Sequence, residues 1–210
     1  MRKLALFIIS GVTAVVLAAS PAAAQTDFFI DAYIPPADGA VYTVSKVTPG
    51  TPDVFEVQAA GFDTLDFGQL DLDAGLGIFL PAYFWVVDVG TNGAGFPDLQ
   101  FAYVDTFNPN GALNDGSGLG GHGTVAYLEV VDNGNGTQTV NLIRGESLDE
   151  ANTSGGLDET QYANGFARIS FGIATGDPGL EEGNAVPFTP ADATGTYSGT
   201  FTITASFDVP

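Results

Sequence analysis

Four aspartates lie close together in the stretch FDTLDFGQLDLD, at positions Asp63, Asp66, Asp71 and Asp73. Paired carboxylates act as acid and base in glycoside hydrolysis, and clustered carboxylate oxygens are the ligands that calcium prefers. Asp71 and Asp73 alternate with leucines, however, which places them on the solvent face of a strand. We therefore predict no catalytic role for this cluster, and calcium binding is the alternative that the residue types leave open.

A second oxygen-rich stretch is DNGNGT, at residues 132–137. Its spacing is like that of a calcium loop, but the acidic ligand that such loops carry at their far end is absent. Two β-rich runs flank the stretch, and Asn-Gly supplies the positive φ angles that a tight turn needs. The sequence therefore predicts a β-hairpin here, with an ion site as the alternative.

The chain has a single histidine, His122, and no cysteine. A Ser-His-Asp site would have to be built around this one residue, and zinc or copper sites usually need two or more histidine or cysteine ligands. No nucleophile elbow, phosphate-binding glycine loop or dinucleotide fingerprint is present. We predict a protein that is not an enzyme, with no catalytic residue, no metal ligand and no cofactor, and a histidine in a loop without a special role.

The first 24 residues have the three-part layout of a bacterial signal peptide. Arg2 and Lys3 precede an apolar run, Pro21 follows that run, and the segment closes on three alanines. The run is short for a membrane anchor, which is the competing interpretation. We expect residues 1–24 to be removed, no membrane insertion afterwards, and a location outside a bacterial cell or on its surface, reached through the periplasm.

Residues 25–210 carry an unusually acidic charge. Two of the five basic residues and none of the 25 acids lie in the first 24 residues, so three basic residues remain against 25 acids, a formal charge of −22. Such a surface repels phosphate backbones and anionic lipids. The composition therefore predicts that nucleic acid is not a partner.

Short runs rich in Val, Ile, Thr, Phe and Tyr alternate with Gly, Asn, Asp and Pro along residues 25–210. This pattern is typical of an all-β sandwich or barrel. We predict one domain, an immunoglobulin-like or Greek-key β-sandwich of about eight to ten strands. The strand candidates are 27–34, 40–48, 53–59, 64–72, 78–89, 98–106, 123–131, 137–144, 165–174 and 196–208.

Residues 78–89, IFLPAYFWVVDV, are apolar on both parities and contain the only tryptophan, Trp85. A strand with one wet face should alternate, so this one is predicted to be covered on both faces. A central core strand explains the pattern, and a face turned towards another subunit or a ligand is the alternative. Pro81 suits the start of a strand because proline donates no ladder hydrogen bond.

Two segments do not read as strands. Residues 107–122 form a stretch rich in Gly and Asn, which predicts a loop. Residues 145–164 carry five acids among few apolar residues. We predict a solvated excursion there, with at most one helical turn.

The C-terminal stretch TGTYSGTFTITASF, residues 194–207, alternates strictly between apolar residues and Thr or Ser. It resembles the closing strand of bacterial fimbrial subunits, in particular alpha-fimbrial pilins and their spore-coat-U-like relatives. TDFFIDAYIPP at residues 26–36 is similar to the N-terminal strand that those pilins lend to a neighbour, and LDFGQL at 65–70 resembles a turn in such domains. An ice-binding array is the weaker alternative, because no other segment repeats the Thr pattern.

The resemblance implies a non-enzymatic structural or adhesive subunit, pilus-like, that assembles by β-strand addition. Its partners would be copies of itself or related surface subunits. The side chains expected at the interface are Phe28, Ile30, Ala32, Ile34, Phe201, Ile203, Ala205 and Phe207. The alternative from another class is a secreted module that binds a glycan or calcium through acidic loops and surface aromatics such as Tyr83, Trp85 and Tyr103.

Overall fold

A computed structural model of the chain describes residues 27–33, 40–48, 54–91, 95–106, 119–192 and 195–207. Within these ranges the chain is built of strands and three short 3-10 helices, η1 (Leu119–Gly121), η2 (Leu148–Asn152) and η3 (Glu159–Tyr162). The strands are β1 (Asp27–Tyr33), β2 (Ala40–Thr48), β3 (Val54–Val57), β4 (Thr64–Gln69), β5 (Asp71–Asp73), β6 (Ile78–Leu80), β7 (Phe84–Thr91), β8 (Asp98–Thr106), β9 (Gly123–Asp132), β10 (Gln138–Ser147), β11 (Phe166–Ile173) and β12 (Thr196–Ser206).

The strands form two principal sheets and a small hairpin. The first sheet has four strands in the order β4-β1-β12-β8, the second has six in the order β10-β9-β11-β7-β2-β3, and β5 pairs with β6. All the described pairings are antiparallel except one, because β1 runs parallel to β12. The predicted all-β sandwich is therefore confirmed.

The core lies between the two principal sheets. It takes its side chains from alternate positions of β9, β11 and β12, as the buried parity of each strand shows. Aromatic rings cross the interior, where Phe101 stacks on Tyr127 at 4.5 Å and Phe171 meets Phe201 edge-on at 4.9 Å between ring centroids. Edge-to-face and offset pairs of this kind add to the stabilisation that burial gives.

Ten strand candidates became twelve strands because two of them are interrupted. The 64–72 candidate breaks at Leu70, between β4 and β5, and the 78–89 candidate breaks at residues 81–83, between β6 and β7. Pro81 lies in the second break, as expected of a residue that cannot donate to a ladder. The other boundaries differ from the candidates by at most three residues.

The prediction of a solvated excursion at 145–164 is wrong. Leu148, Leu157 and Tyr162 are 0 to 1 % exposed and belong to the core. Capping boxes start η2 and η3 and pair the first backbone groups of each turn, so these groups are satisfied where the segment approaches the core. Arg144 of β10 ties the segment down, since its two terminal nitrogens donate to the carbonyls of Ser154 and Gly155.

Candidate functional site

Strand β1 occupies a slot between β4 and β12. Seven residues of β1 are in parallel register with β12, from Asp27 opposite Thr196 to Tyr33 opposite Thr202. Five of the same residues pair antiparallel with β4. In the described part of the chain β4 has no other ladder partner, so β1 is what joins β4 to the rest of its sheet.

The β4 wall of this slot is shaped by the LDFGQL stretch. Leu65 and Phe67 are fully buried, whereas Asp66 points outward and accepts a hydrogen bond from the Gly68 amide at 2.8 Å. The register with β1 slips by one residue at this point, so Phe67 is the extra residue of a β-bulge. Gly68 has a φ of 68°, which explains why glycine stands there.

The other wall of the slot is β12, whose alternation is as predicted. Tyr197, Phe201 and Ile203 are buried, and the Thr and Ser residues between them are more exposed. Ala205 packs against the core at its rim, and Phe207 follows the last residue of β12. Phe201 and Ile203 therefore belong to the core of the chain itself, and they are not displayed on the surface as a free interface.

The N-terminal strand was predicted to act between subunits, and in the structure it pairs within its own chain. Phe28, Ile30 and Ala32 are in β1 and share one parity, while Ile34 lies outside the described residues. The backbone register fixes their place opposite Tyr197, Gly199 and Phe201 of β12. The slot between β4 and β12 is therefore filled by a strand of the same chain.

Two of the four aspartates of the 63–73 cluster, Asp66 and Asp73, cap turns of the chain. Asp73 accepts hydrogen bonds from the amides of Gly75 and Leu76 in the β5–β6 turn, and Asp66 accepts one from Gly68. Carboxylates held in this way cap turns without a metal. Within the described ranges no group of three or more His, Cys, Asp or Glu side chains is arranged to hold a metal ion.

The DNGNGT stretch is the turn of the β9–β10 hairpin, as predicted. The turn spans the five residues between Asp132 and Gln138, which are the last paired residues of the two strands. Asp132 accepts from the Gly134 amide at 2.8 Å, and Asn135 accepts from the amide and hydroxyl of Thr137. These side-chain oxygens are occupied in closing the turn.

His122 lies in the loop before β9, but it is buried, which the sequence did not predict. The residue is 5 % exposed, and its ring stacks on Phe188 at 3.8 Å between centroids. Nδ1 lies 2.9 Å from the carbonyl oxygen of Val186. The contacts are those of a core side chain that fixes the segment before β12 against the loop before β9.

The aromatic residues offered for glycan binding are mostly internal. Trp85 is 4 % exposed and donates from Nε1 to the carbonyl of Asp66 at 3.0 Å, and Tyr103 is 3 % exposed. The Tyr103 hydroxyl donates to Asp105 at 2.5 Å, while burial, followed by that bond, raises the pKa of the phenol. Tyr83 alone of the three is half-buried, so the alternative hypothesis of glycan binding through surface aromatics is not supported by Trp85 and Tyr103.

Residues 85–87, within the 78–89 stretch predicted to be covered, are buried on both faces of the strand, whereas Phe84 on the outer face is half-buried. Trp85 and Val87 point into the core, and Val86 on the opposite face is only 2 % exposed. On that same face Asp88 accepts a two-pronged ion pair from Arg168 of β11, at 2.6 and 2.8 Å. This pair could not be predicted from the sequence, because its two members are 80 residues apart.

No protein-family model, curated protein or solved structure matches the chain. No helix in the described ranges combines the length and the apolar character that crossing a membrane would need.

Proposed function

We propose that the protein is an exported structural subunit that assembles by β-strand addition, with β1 of one subunit entering the β4–β12 slot of the next. The observation that carries the proposal is the position of β1. It is the first described strand, it bridges two strands that are far from it in sequence, and its contacts with them are main-chain ladders on both sides. Main-chain pairing is the mode of recognition on which strand addition depends.

Pairing with a strand in the slot stabilises β4, whether that strand comes from the same chain or from a copy. Without β1, β4 would lose every ladder partner it has in the described chain, while Leu65 and Phe67 would have to stay buried at an open sheet edge. An unpaired edge is a template for another strand. A copy's β1 in the same slot would make the same hydrogen bonds as the subunit's own strand, so exchange costs little in contacts.

The short connection between β1 and β2 supports exchange of the strand between copies. Six residues, IPPADG at 34–39, join the end of β1 to the start of β2. Pro35 and Pro36 fix their φ angles and stiffen that connection. A stiff, short hinge is a known route to strand exchange between identical subunits, because relief of hinge strain favours the exchanged form.

Removal of the strand tests the slot directly. A chain that lacks residues 25–34 is expected to melt earlier, and a synthetic peptide of residues 26–36 is expected to restore its stability in a saturable way. At a hundredfold excess over Kd the gain is about 2.7 kcal/mol. Calorimetry with and without the peptide measures it, and a peptide with Phe28 and Ile30 replaced by aspartate is the matched control.

A second experiment uses the full-length chain, for the case in which the shortened chain does not fold without its strand. Fluorescent peptide of residues 26–36 is incubated with the intact protein, and its incorporation is followed by anisotropy. Strand exchange predicts slow uptake of the native peptide and none of the aspartate control. Equal uptake of the native peptide and the aspartate control would contradict the proposal. Failure of both the full-length and the shortened chain to take up either peptide would also contradict it.

A further inference from the structure

A groove of about 590 Å³ opens on the second, six-stranded sheet, which does not contain β1. Its floor is made of small residues, Thr124 and Ala126 on β9 and Ser170 and Gly172 on β11. These residues alternate along their strands with buried core residues, so the groove lies on the face of the sheet that points away from the core. The volume is within the range of roughly 300–1,000 Å³ that is usual for small-molecule sites.

The walls of the groove are apolar. Leu80 and Phe84 stand on the side of β6 and β7, and Leu180 stands on the side of the loop after β11, where 56 % of its surface is exposed. Leu180 is exposed to this degree and Phe84 is half-buried, so covering their apolar surface would release free energy. An occupant with an apolar body would therefore be stabilised by contact with both walls.

The loop wall is held in place before any ligand arrives. The Glu182 carboxylate accepts hydrogen bonds from the Thr175 amide and hydroxyl and from the Gly176 amide, at 2.7 to 2.8 Å. Glu181 has a φ of 51°, and it is the non-glycine residue with positive φ among the described ones. Its carbonyl packs where a Cβ would stand at position 145, which is glycine. Backbone strain of this kind is typical of binding sites.

The charge at the groove has one sign. Glu181 and Glu182 line it, and none of its described lining residues is basic. Glu182 is engaged by the loop, whereas the exposed Glu181 carboxylate makes no side-chain hydrogen bond or ion pair in the described part of the chain. An apolar groove with a carboxylate at its rim complements a molecule with an apolar body and a cationic head.

We propose that this groove binds a small amphipathic organic cation, with its apolar body over the Ala126 floor and its ammonium group beside Glu181. The site is separate from the slot of β1 and does not depend on the proposed assembly. An anionic amphiphile and a neutral one are the other occupants that a groove of this size could admit. Each of them gives a distinct result in the experiment below.

The probes are three amphiphiles with the same decyl chain, namely decyltrimethylammonium, decyl sulfate and decyl glucoside, below their micellar concentrations in 150 mM salt. Calorimetric titration of the full protein is expected to show one saturable site for the cation. The anion is expected to bind at least about tenfold more weakly, with the neutral probe between the two. Amide shifts in nuclear magnetic resonance spectra should cluster at β9, β11 and residues 175–182.

Two variants with matched controls locate the site. Ala126→Phe fills the floor and should abolish binding of the cation, whereas Leu128→Phe, on the same face of β9 outside the groove, should not. Glu181→Gln should reduce the cation's affinity to that of the neutral probe, while Glu159→Gln removes an equal charge elsewhere without effect. Melting curves verify that each variant is folded.

Three results would overturn the proposal. They are the absence of a saturable site for the cation, equal affinity of the cation and the neutral or anionic probe, and unchanged binding in Ala126→Phe. Loss of cation binding in Glu159→Gln equal to that in Glu181→Gln would also contradict it, because the attraction would then come from the overall charge of the chain.

Discussion

At the scale of single residues, Gly199 shows how closely the slot wall meets the core. A Cβ at this position of β12 would overlap the ring and hydroxyl of Tyr103, which is buried on the adjacent β8. We expect Gly199→Ala to lower the free energy of unfolding by about 1–3 kcal/mol, the usual cost of overpacking. Denaturant unfolding measures it. Gly121→Ala, where a Cβ meets nothing within 4 Å, is the control and should change stability far less.

Glu129 is a residue whose ionisation should make the stability of the fold depend on pH. The hydrogen bond from the Asn141 amide, joined by two from Asn164, holds the pKa of Glu129 below its usual value against the opposing effect of burial. A lowered folded pKa stabilises the native state above the unfolded pKa, near 4.3, and this stabilisation is lost as pH falls through the folded pKa.

We therefore expect Glu129→Gln to be less stable than the native chain at pH 7 and to approach it at pH 3. Equilibrium unfolding at several pH values between 7 and 3 measures the difference. The physical reason is that the native carboxyl becomes neutral at low pH, as the amide is throughout. A deficit of the same size at both ends of the range would show that the ionised form of Glu129 is not what its amide partners stabilise.

At the scale of elements, η2 is joined to the segment before β12 through one carboxylate. Glu150 accepts hydrogen bonds from the amide and hydroxyl of Ser147 and from the amide and side chain of Asn184, at 2.6 to 3.1 Å. Burial raises the pKa of Glu150, but the four hydrogen bonds outweigh it and hold the pKa below its usual value. The neighbouring Asp149 differs, since burial and then the charges of Asp105 and Glu150 raise its pKa.

The two neighbours should consequently respond in opposite ways at pH 7. Glu150→Ala is expected to lower the free energy of unfolding by about 1–3 kcal/mol, because it leaves donors at Ser147 and Asn184 without their acceptor. Asp149→Asn is expected to leave stability unchanged or to raise it slightly, because it removes a carboxylate whose ionised form is disfavoured. Hydrogen exchange at residues 183–186 gives the local readout. Equal destabilisation by both variants would contradict this account.

Elements with a strong local signal could be predicted from the sequence. The alternation of residues 196–206 and the turn chemistry of DNGNGT each specify a strand or a hairpin without help from the rest of the chain. The buried segment around η2 and η3 could not be predicted, because Leu148, Leu157 and Tyr162 are isolated among polar residues and no periodicity connects them.

The partner of β1 could not be predicted either. The parity of Phe28, Ile30 and Ala32 is the same whether the strand fills its own subunit's slot or a neighbour's, so the pattern identifies a strand and leaves its destination open. His122 and the Arg168–Asp88 pair depend on contacts between distant residues, for which one sequence carries no signal. The groove on the second sheet is also a product of tertiary packing.

At the scale of the whole molecule, charge opposes the proposed assembly. Residues 25–210 carry a formal charge of −22, so two copies repel each other at low ionic strength. Salt screens exposed charges, with a Debye length of about 8 Å at 0.15 M. Strand addition between copies should therefore be measured at physiological salt or above, where the repulsion between copies is weakest. Main-chain pairing between β1 and the slot then determines whether the copies assemble.

The absence of cysteine makes the central claim open to one direct measurement. Asp31 of β1 lies opposite Thr200 of β12 in the parallel register. The double variant Asp31→Cys, Thr200→Cys is concentrated in physiological salt and oxidised, and the products are separated on a non-reducing gel. The proposed assembly predicts a ladder of oligomers linked between positions 31 and 200 of different chains, as identified by mass spectrometry. Asp31→Cys with Thr204→Cys, which are out of register, should not give it. Monomers linked only within one chain, at every concentration tested, would contradict the account.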